Sequence, residues 1–151
     1  MHVLIVDDDH QQASNLASLI NNQGHSASFF VDPVQGLKAF ETDNPDLVIL
    51  DLRMPGMDGL TFLKKASEFR PEARIVMLTA YGTIETAVEA MKKGAFDFLV
   101  KPVEEDKLGS ILKLVEDAVR LSQMANLSAP KGPDEEQFLA VSPTMRKVKD
   151  L

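Results

Sequence analysis

The chain has 151 residues, of which 44% are hydrophobic, and its formal net charge is −7. This length suits one core of ordinary domain size with some chain left over. The absence of cysteine excludes a disulfide framework, a thiolate nucleophile and a cysteine zinc site. The acidic balance argues against direct nucleic-acid binding, which needs clustered Lys and Arg. With no apolar run near the ~20 residues that cross a bilayer and no secretion signal, we expect a soluble cytoplasmic protein without a membrane contact.

Five short runs rich in Val, Ile, Leu and Phe are predicted to be strands. Several are almost continuously apolar, which is typical of strands buried on both faces of a parallel sheet. The second run, SASFF, alternates polar with apolar residues and therefore looks like an edge strand. The five runs are 2–6, 26–30, 46–50, 74–78 and 96–100.

Helical spacing of apolar residues fills each gap between these runs. The predicted helices cover 11–23, 34–42, a segment capped by Asp58, 84–93, and a last helix that begins near Glu104. Regular strand–helix alternation implies right-handed crossovers around a parallel sheet. The prediction is an α/β fold, a doubly wound, flavodoxin-like (βα)₅ with a five-stranded parallel sheet in the order 2-1-3-4-5 and an extended C-terminal helix.

Polar side chains follow the carboxyl ends of four predicted strands, where ligands bind in open α/β sheets. Asp7 and Asp8 follow the first strand and Asp51 follows the third. Thr79 follows the fourth strand and Lys101 the fifth. Carboxylates without histidine or sulfur partners suit Mg²⁺. Asp51 is central and is the best placed nucleophile for a phosphoryl group, which the Thr79 hydroxyl and the Lys101 ammonium would meet.

These residues resemble the receiver domain of two-component response regulators over residues 1–122. The resemblance rests on the acidic pair Asp7–Asp8, the stretch DLRMPGMDG (51–59), Thr79–Ala80 and Lys101–Pro102. It implies that Asp51 is the phosphoacceptor and takes a phosphoryl group from a phosphohistidine on a sensor histidine kinase. It also implies a phosphoacceptor regulatory domain rather than an enzyme.

The resemblance further implies a Mg²⁺ site made by Asp7, Asp8, the Asp51 carboxylate and the backbone carbonyl of Arg53. Three carboxylates against one lysine leave a local charge of about −2, which a divalent cation would neutralise. We therefore expect at least one of the carboxylate pKa values to be raised in the metal-free state. Asp9 is expected to differ from its neighbours, because it lies at the start of the first helix, where an acid interacts favourably with the helix dipole.

By the same resemblance, Thr79, Ala80 and Lys101 form the phosphoryl-binding set, with the small Ala80 leaving the site open to its donor. Thr79 and Phe98 are the expected switch residues, since Phe98 falls on the family's aromatic position three residues before the lysine. Phosphorylation would then remodel the face formed by helix 4, strand 5 and helix 5. Family members usually have a cis peptide at the position of Lys101–Pro102.

The last predicted helix, 104–127, carries two apolar stripes when plotted at ~100° per residue. The first stripe can cover the sheet and consists of Leu108, Leu112, Val115 and Val119. The second stripe exceeds the needs of one surface helix and consists of Ile111, Leu114, Ala118, Leu121 and Ala125. Spacings of three and four are those of a coiled-coil seam, so we predict a homodimer through this helix. The alternative is a wide helix that faces only the core.

Residues 128–137 contain two prolines, a glycine and three acids, and are predicted to be a linker. The segment that follows, 138–151, resembles the opening of the AAA+ ATPase domain in NtrC-like activators of sigma-54 RNA polymerase. That family adds a DNA-binding domain further downstream. Because the sequence contains no G-x-x-x-x-G-K-[ST], the ATPase is not in this chain. The predicted function is therefore a phosphorylation-switched regulatory fragment that controls a downstream ATPase and transcription.

Two other functions remain as alternatives. A Mg²⁺-dependent phosphohydrolase with an aspartyl nucleophile could use a similar sheet, but those enzymes usually have an acid two residues after the nucleophile, where this chain has Arg53. A receiver-like interaction module that is never phosphorylated would not need the complete set of site residues. A test with Mg²⁺ and a phosphoryl donor separates all three.

Overall fold

The computed structural model describes residues 1–80 and 84–128. Its five strands form one parallel sheet in the order β2-β1-β3-β4-β5, which confirms the predicted fold class and strand order. The strands are β1 His2–Val6, β2 Ser26–Phe30, β3 Leu47–Asp51, β4 Ile75–Thr79 and β5 Asp97–Val100.

Helices follow the strands as the sequence predicted, and their bounds differ from the prediction by one or two residues. They are α1 His10–Asn22, α2 Pro33–Asp43, α3 Gly59–Phe69, α4 Ile84–Lys92 and α5 Glu105–Ser128. An aspartate caps each of the first three helices, because its carboxylate accepts a hydrogen bond from a first-turn N–H that has no helical partner. These caps are Asp9, Asp32 and Asp58. The cap at Asp32 precedes a proline at the first helical position, which the sequence analysis did not use.

The core lies on both faces of the central strands. All five residues of β3 are buried, as the continuous apolar run predicted. Phe40 of α2 and Phe62 of α3 are fully buried against the sheet. The edge strand β2 does not show the predicted alternation, since Ala27 through Phe30 are all partly buried. Neighbouring elements therefore cover both faces of β2 in part.

Strands β3 and β4 each end one residue later than predicted, and both extra residues belong to the candidate site. Asp51 pairs with Leu78, and Thr79 pairs with Val100, so the parallel ladder continues through both positions. Asp51 and Thr79 were predicted to come at the ends of these strands, directly after the apolar runs 46–50 and 74–78. As the last members of a sheet they are held more firmly than loop residues would be.

The chain divides into two compact units, Met1–Asp117 and Ala118–Leu151, and the division falls within α5. Of the predicted linker 128–137, the structure describes Ser128, which is the last residue of α5. The predicted domain opening at 138–151 lies outside the described residues, and the predicted domain boundaries stay predictions. Within the part of the chain that the structure describes, none of the helices combines the length and apolar character needed to cross a membrane.

Candidate functional site

The carboxyl ends of four neighbouring strands bring the predicted site residues to one edge of the sheet. Asp51 and Thr79 are the last residues of β3 and β4. Lys101 follows β5, and its backbone N–H donates a 2.7 Å hydrogen bond to the Thr79 carbonyl. Asp7 follows β1, and its N–H donates to the Phe30 carbonyl at 3.1 Å. Backbone hydrogen bonds thus fix the Cα positions from which these side chains project.

Three carboxylates meet in the crevice, as predicted. One oxygen from each of Asp7, Asp8 and Asp51 lies within 4.8 Å of the other two. Asp7 is 1% exposed and Asp51 is 6% exposed, whereas Asp8 is open to solvent. The Asp9 N–H donates to Oδ1 of Asp7 at 3.0 Å, and the Arg53 N–H donates to Oδ1 of Asp51 at 3.2 Å. Backbone donors therefore orient both buried carboxylates.

One lysine serves both buried acids. Nζ of Lys101 lies 3.3 Å from Oδ2 of Asp7 and 3.4 Å from Oδ2 of Asp51. Its side chain is 17% exposed, so this ion pair is only partly screened by water. Two buried negative charges share one positive charge, and the exposed carboxylate of Asp8 adds a third negative charge nearby.

The surroundings of Asp51 raise the pKa of its carboxyl group. Burial is the largest cause that raises the pKa of its carboxyl group, to about 7, and the hydrogen bond and charge of neighbouring Asp7 act in the same direction. The Lys101 ammonium and the Arg53 N–H oppose this shift of the pKa but do not cancel it. The expectation of at least one raised carboxylate pKa is confirmed.

The oxygen donors fit a hard divalent cation. Among the described residues, the buried Oδ2 of Asp7 accepts no hydrogen bond of good geometry and has only the ion pair with Lys101 at 3.3 Å. An acidic cluster with hard oxygen ligands, no nitrogen or sulfur donor and too little positive charge suits Mg²⁺, which would neutralise it. Asp7, Asp8 and Asp51 are the residues that could hold the ion. The backbone carbonyl of Arg53 stays a predicted fourth ligand.

A cavity of about 190 Å³ opens beside Asp51, on the side of β4 and β5. The lining includes Thr79, Ala80 and Lys101, the three residues predicted to meet a phosphoryl group. Leu52 and Arg53 complete the lining together with Asp51. A hydroxyl, an ammonium and a small side chain around a buried carboxylate leave space for a compact anion on that carboxylate.

The predicted switch residue Phe98 lies on β5 with 37% of its surface exposed. It lines an apolar cavity of about 400 Å³ together with Ala87, Val88, Met91 and Lys92. The structure thus places Phe98 on the α4–β5 surface, and its predicted switching role stays a prediction. The Lys101–Pro102 peptide is cis, as the sequence analysis expected.

A second cavity next to the acids was missed by the sequence analysis. It measures about 480 Å³ and lies between α1 and the segment after β5. Asp7 and Lys101 line it, and Leu16 and Leu19 of α1 are apolar parts of its wall. Leu16 and Leu19 have the spacing of a core-facing helix side, so periodicity alone gives no sign of a cavity there. The exposed Gln12, on the same helix, also lines this cavity.

The last helix corrects one member of the predicted dimer stripe. Ile111 is 6% exposed, so its side chain is buried in the interior of the first unit, as are those of Leu108 and Leu112. The core-facing arc of α5 is therefore wider than the single stripe assigned to it. Leu114 is 55% exposed, and Leu121, in the second unit, is 65% exposed. Ala118 is partly exposed, and the side chain of Ala125 lies outside the described residues.

The sequence also matches a known protein family over most of its length. The sequence pattern of the response regulator receiver domain matches residues 3–113. The chain belongs to this family. The receiver is therefore a regulatory domain, which confirms the resemblance on which the sequence analysis relied.

Two curated transcriptional regulatory proteins are similar to this chain over nearly its whole length. Transcriptional regulatory protein ZraR of Klebsiella oxytoca is 36% identical over 146 residues, which are 95% of this chain and 32% of ZraR. Transcriptional regulatory protein FixJ of Bradyrhizobium diazoefficiens is 33% identical over 150 residues, 99% of this chain and 72% of FixJ. The chain thus spans about a third of the length of ZraR.

Solved structures agree with the fold. The receiver superposes on NtrX from Brucella abortus in complex with ATP with a TM-score of 0.77 and 31% identity, covering 83% of this chain and 29% of NtrX. It superposes on a response regulator receiver domain protein from Clostridium thermocellum with a TM-score of 0.75 and 30% identity, covering 80% and 97% of the two chains. The predicted NtrC-like affiliation is confirmed by ZraR and NtrX together.

Proposed function

We propose that the receiver accepts a phosphoryl group on Asp51 from a phosphohistidine of a sensor histidine kinase, with Mg²⁺ as its cofactor. The observation that carries this proposal is the meeting of Asp7, Asp8 and Asp51 within 4.8 Å, with the Lys101 ammonium 3.4 Å from Asp51. A structural ion pair would need one acid and one base. Three acids around one base are a site for additional positive charge, which a divalent cation would supply. The bound cation would in turn favour the approach of a negatively charged phosphoryl group.

In the proposed reaction, a carboxylate oxygen of Asp51 forms a bond to phosphorus while the bond from phosphorus to the donor's imidazole nitrogen breaks. The donor leaves as an imidazole, and Asp51 becomes an acyl phosphate. The Arg53 N–H holds Oδ1 of Asp51 and fixes the orientation of the carboxylate for this attack. Lys101 and Thr79 would meet the phosphoryl oxygens in the cavity beside Asp51. Bound Mg²⁺ would offset negative charge on the carboxylates and on the transferring group.

The phosphoryl group would act on the α4–β5 surface through two residues. The hydroxyl of Thr79 would turn toward a phosphoryl oxygen, and Phe98, which is partly exposed, would turn inward. Phe98 has no hydroxyl group, so inward packing removes apolar surface from water without leaving a polar atom unpaired. The cavity that Phe98 lines with Val88 and Met91 would change shape in the same step.

We propose that this switch controls transcription, and that it acts through a dimer of the receiver and through further domains of the protein. Leu114 and Leu121 are large exposed apolar residues of α5, which is the helix proposed to pair with a second copy. ZraR is a longer transcriptional regulatory protein whose match to this chain covers 95% of it. By that relationship the receiver would control a downstream sigma-54-activating AAA+ ATPase joined to a DNA-binding domain. The protein would act in the cytoplasm, where the sigma-54 RNA polymerase works.

The decisive experiment treats the protein with Mg²⁺ and acetyl phosphate and follows the adduct by intact mass. We expect one phosphoryl group, labile to base and to hydroxylamine, on the wild type and on the control Asp97→Asn, and none on Asp51→Asn. Complete absence of an Asp51-dependent adduct would favour an interaction module that is never phosphorylated. Continued hydrolysis of phosphate monoesters would instead favour the phosphohydrolase alternative.

A further inference from the structure

Gly59 is pressed against the backbone of the proposed phosphoacceptor. It is buried at the start of α3, directly after the cap Asp58. A Cβ atom at this position would lie 2.7 Å from the backbone oxygen of Asp51, 2.8 Å from Cα of Leu52 and 2.9 Å from Cε of Met77. Two of these three atoms are backbone atoms of the segment that carries the phosphoacceptor, and this backbone is held to β4 by the hydrogen bond from the Leu52 N–H to the Leu78 carbonyl, so it yields little.

The requirement for glycine is therefore one of space. Positive φ angles occur among the glycines at Gly24, Gly56 and Gly94, and Gly59 does not belong to that group. An alanine could adopt the same backbone conformation, and within a helix it is intrinsically preferred over glycine by about 1 kcal/mol. Only the close approach to Asp51 and Leu52 makes a side chain unacceptable here.

A single hydrogen bond joins the two ends of the loop that leaves the site. The Gly59 N–H donates to the Leu52 carbonyl at 2.8 Å and closes the loop between them. The Leu52 N–H in turn donates to the Leu78 carbonyl at 2.8 Å, which fastens the loop to β4. The next residue of the loop is Arg53, whose N–H holds Oδ1 of Asp51. The position of Gly59 thus sets the path of the backbone that orients the Asp51 carboxylate.

We propose that Gly59 is a positioning residue for phosphoryl transfer, acting through the Leu52–Arg53 backbone on the geometry of Asp51 and its cation site. The proposal rests on the proposed function of Asp51 and adds a residue to it. A methyl group at residue 59 would force α3 or the loop outward by several tenths of an ångström. The Arg53 backbone would move relative to Asp51, and sub-ångström errors of this kind are sufficient to slow a reaction that depends on alignment.

The test compares Gly59→Ala with Ala66→Gly, a buried position about two turns further along the same helix. For Gly59→Ala we expect Mg²⁺ affinity about tenfold weaker and a phosphorylation rate at saturating Mg²⁺ about tenfold lower, because both depend on a shell that supports the ligands. For Ala66→Gly, which removes helix propensity and a buried methyl group, we expect lower stability with both quantities unchanged. Calorimetry gives the Mg²⁺ affinity and acetyl phosphate gives the rate.

Equal behaviour of Gly59→Ala and wild type would overturn the proposal, and so would equal losses in both variants, which would indicate stability alone. Failure of the wild type to be phosphorylated, with the difference in Mg²⁺ affinity still present, would sink the proposed function and leave the role of Gly59 in place. The wild type offers a second readout that needs no variant. Mg²⁺ should slow hydrogen exchange of the Gly59 amide about tenfold by linkage, while the Arg70 amide at the far end of α3 should not respond. If Mg²⁺ slowed hydrogen exchange of the Gly59 and Arg70 amides by the same factor, the proposal would be refuted.

Discussion

The ammonium of Lys101 lies 3.4 Å from Oδ2 of Asp51, inside the cluster of carboxylates that fits a divalent cation. The same ammonium lies 3.3 Å from Asp7. In the absence of metal, Lys101 is thus the charge that keeps two buried carboxylates together. With metal and phosphoryl group bound, the carboxylates would have another cation and the lysine would be free to turn to phosphoryl oxygens. This double use of one side chain leads to a specific expectation for its removal.

Lys101→Ala should separate metal binding from phosphoryl transfer. Loss of a cation beside the carboxylates should leave Mg²⁺ affinity unchanged or stronger, because the lysine competes for the same negative charge. The phosphorylation rate at saturating Mg²⁺ should fall about 100-fold, since a charged donor to the transferring group is lost. Calorimetry and acetyl phosphate kinetics measure the two effects, with Lys113→Ala, an exposed lysine on α5, as the control. Weaker Mg²⁺ binding in Lys101→Ala would contradict the competition.

The raised pKa of Asp51 should make metal-free stability depend on pH with a definite sign. Burial and Asp7 raise the pKa of Asp51 from 3.8 in the unfolded chain to about 7 in the folded state. Between these two pH values, the folded state holds a proton that the unfolded state has lost. The contribution of Asp51 to the free energy of unfolding is therefore highest below the unfolded pKa and falls as the pH rises to about 7.

Asp51→Asn, which has no such titration, should exceed the wild type in stability by roughly 2–4 kcal/mol at about pH 8 and by much less near pH 4, in urea unfolding without metal. Saturating Mg²⁺ should shrink the difference at high pH, because the ion stabilises the wild-type carboxylates. Glu41→Gln, on the exposed side of α2, serves as a control for loss of one acid. An unchanged difference between wild type and Asp51→Asn from low to high pH would contradict the prediction.

Asp8 and Asp9 are adjacent acids, but neutralising each of them should have a different effect. Asp8 belongs to the carboxylate cluster, so Asp8→Asn should weaken Mg²⁺ binding about tenfold. Asp9 caps α1 by accepting a 3.1 Å hydrogen bond from the Gln12 N–H, and asparagine can replace it in that role. Asp9→Asn should therefore leave both affinity and stability unchanged, whereas Asp9→Ala should lose about 1 kcal/mol of stability alone. Equal Mg²⁺ losses in Asp8→Asn and Asp9→Asn would contradict this division.

The fold and the central site could be predicted because they depend on local patterns. Strand–helix alternation determines a parallel sheet, and parallel strands bring their carboxyl ends to one edge, so Asp7, Asp51 and Lys101 had to converge. Strand ends were displaced by one residue because backbone pairing continues through Asp51 and Thr79 although their side chains are polar. Periodicity could predict neither displacement, since it describes side chains and not backbone hydrogen bonds.

Packing between elements that are distant in sequence was harder to predict from the sequence. The burial of Ile111 depends on how α5 turns against the sheet, and a helical wheel shows only which residues share a face. The closeness of Gly59 to the Asp51 carbonyl depends on the path of the loop between them. A glycine after an aspartate cap has several local explanations, and only coordinates show which atoms a Cβ would meet.

The exposed apolar residues of α5 give a prediction about assembly. Leu121 is 65% exposed and Met124 is 56% exposed, which is unfavourable for a helix that stays in water. Sedimentation equilibrium should show a dimer for the chain and a monomer, or a dimer about 100-fold weaker, for Leu121→Glu. Gln123→Glu adds the same charge at another exposed position of the helix and should leave the dimer intact. The same monomer for this chain and for one that ends at residue 120 would refute dimerisation through the helix.

Phe98 offers a direct reading of the switch, because the sequence contains no tryptophan and Phe98→Trp would introduce a single tryptophan, which can be excited apart from Tyr81. Phe98 is 37% exposed, so the emission without ligands should be that of a partly hydrated indole. Addition of Mg²⁺ and beryllofluoride should shift the emission to shorter wavelength as the ring packs inward and leaves water. Thr79→Ala should abolish the shift while retaining Mg²⁺ binding, because the hydroxyl links the anion to the ring. An emission spectrum that does not respond in Phe98→Trp, with the anion shown to be bound, would mean that this aromatic position does not report phosphorylation.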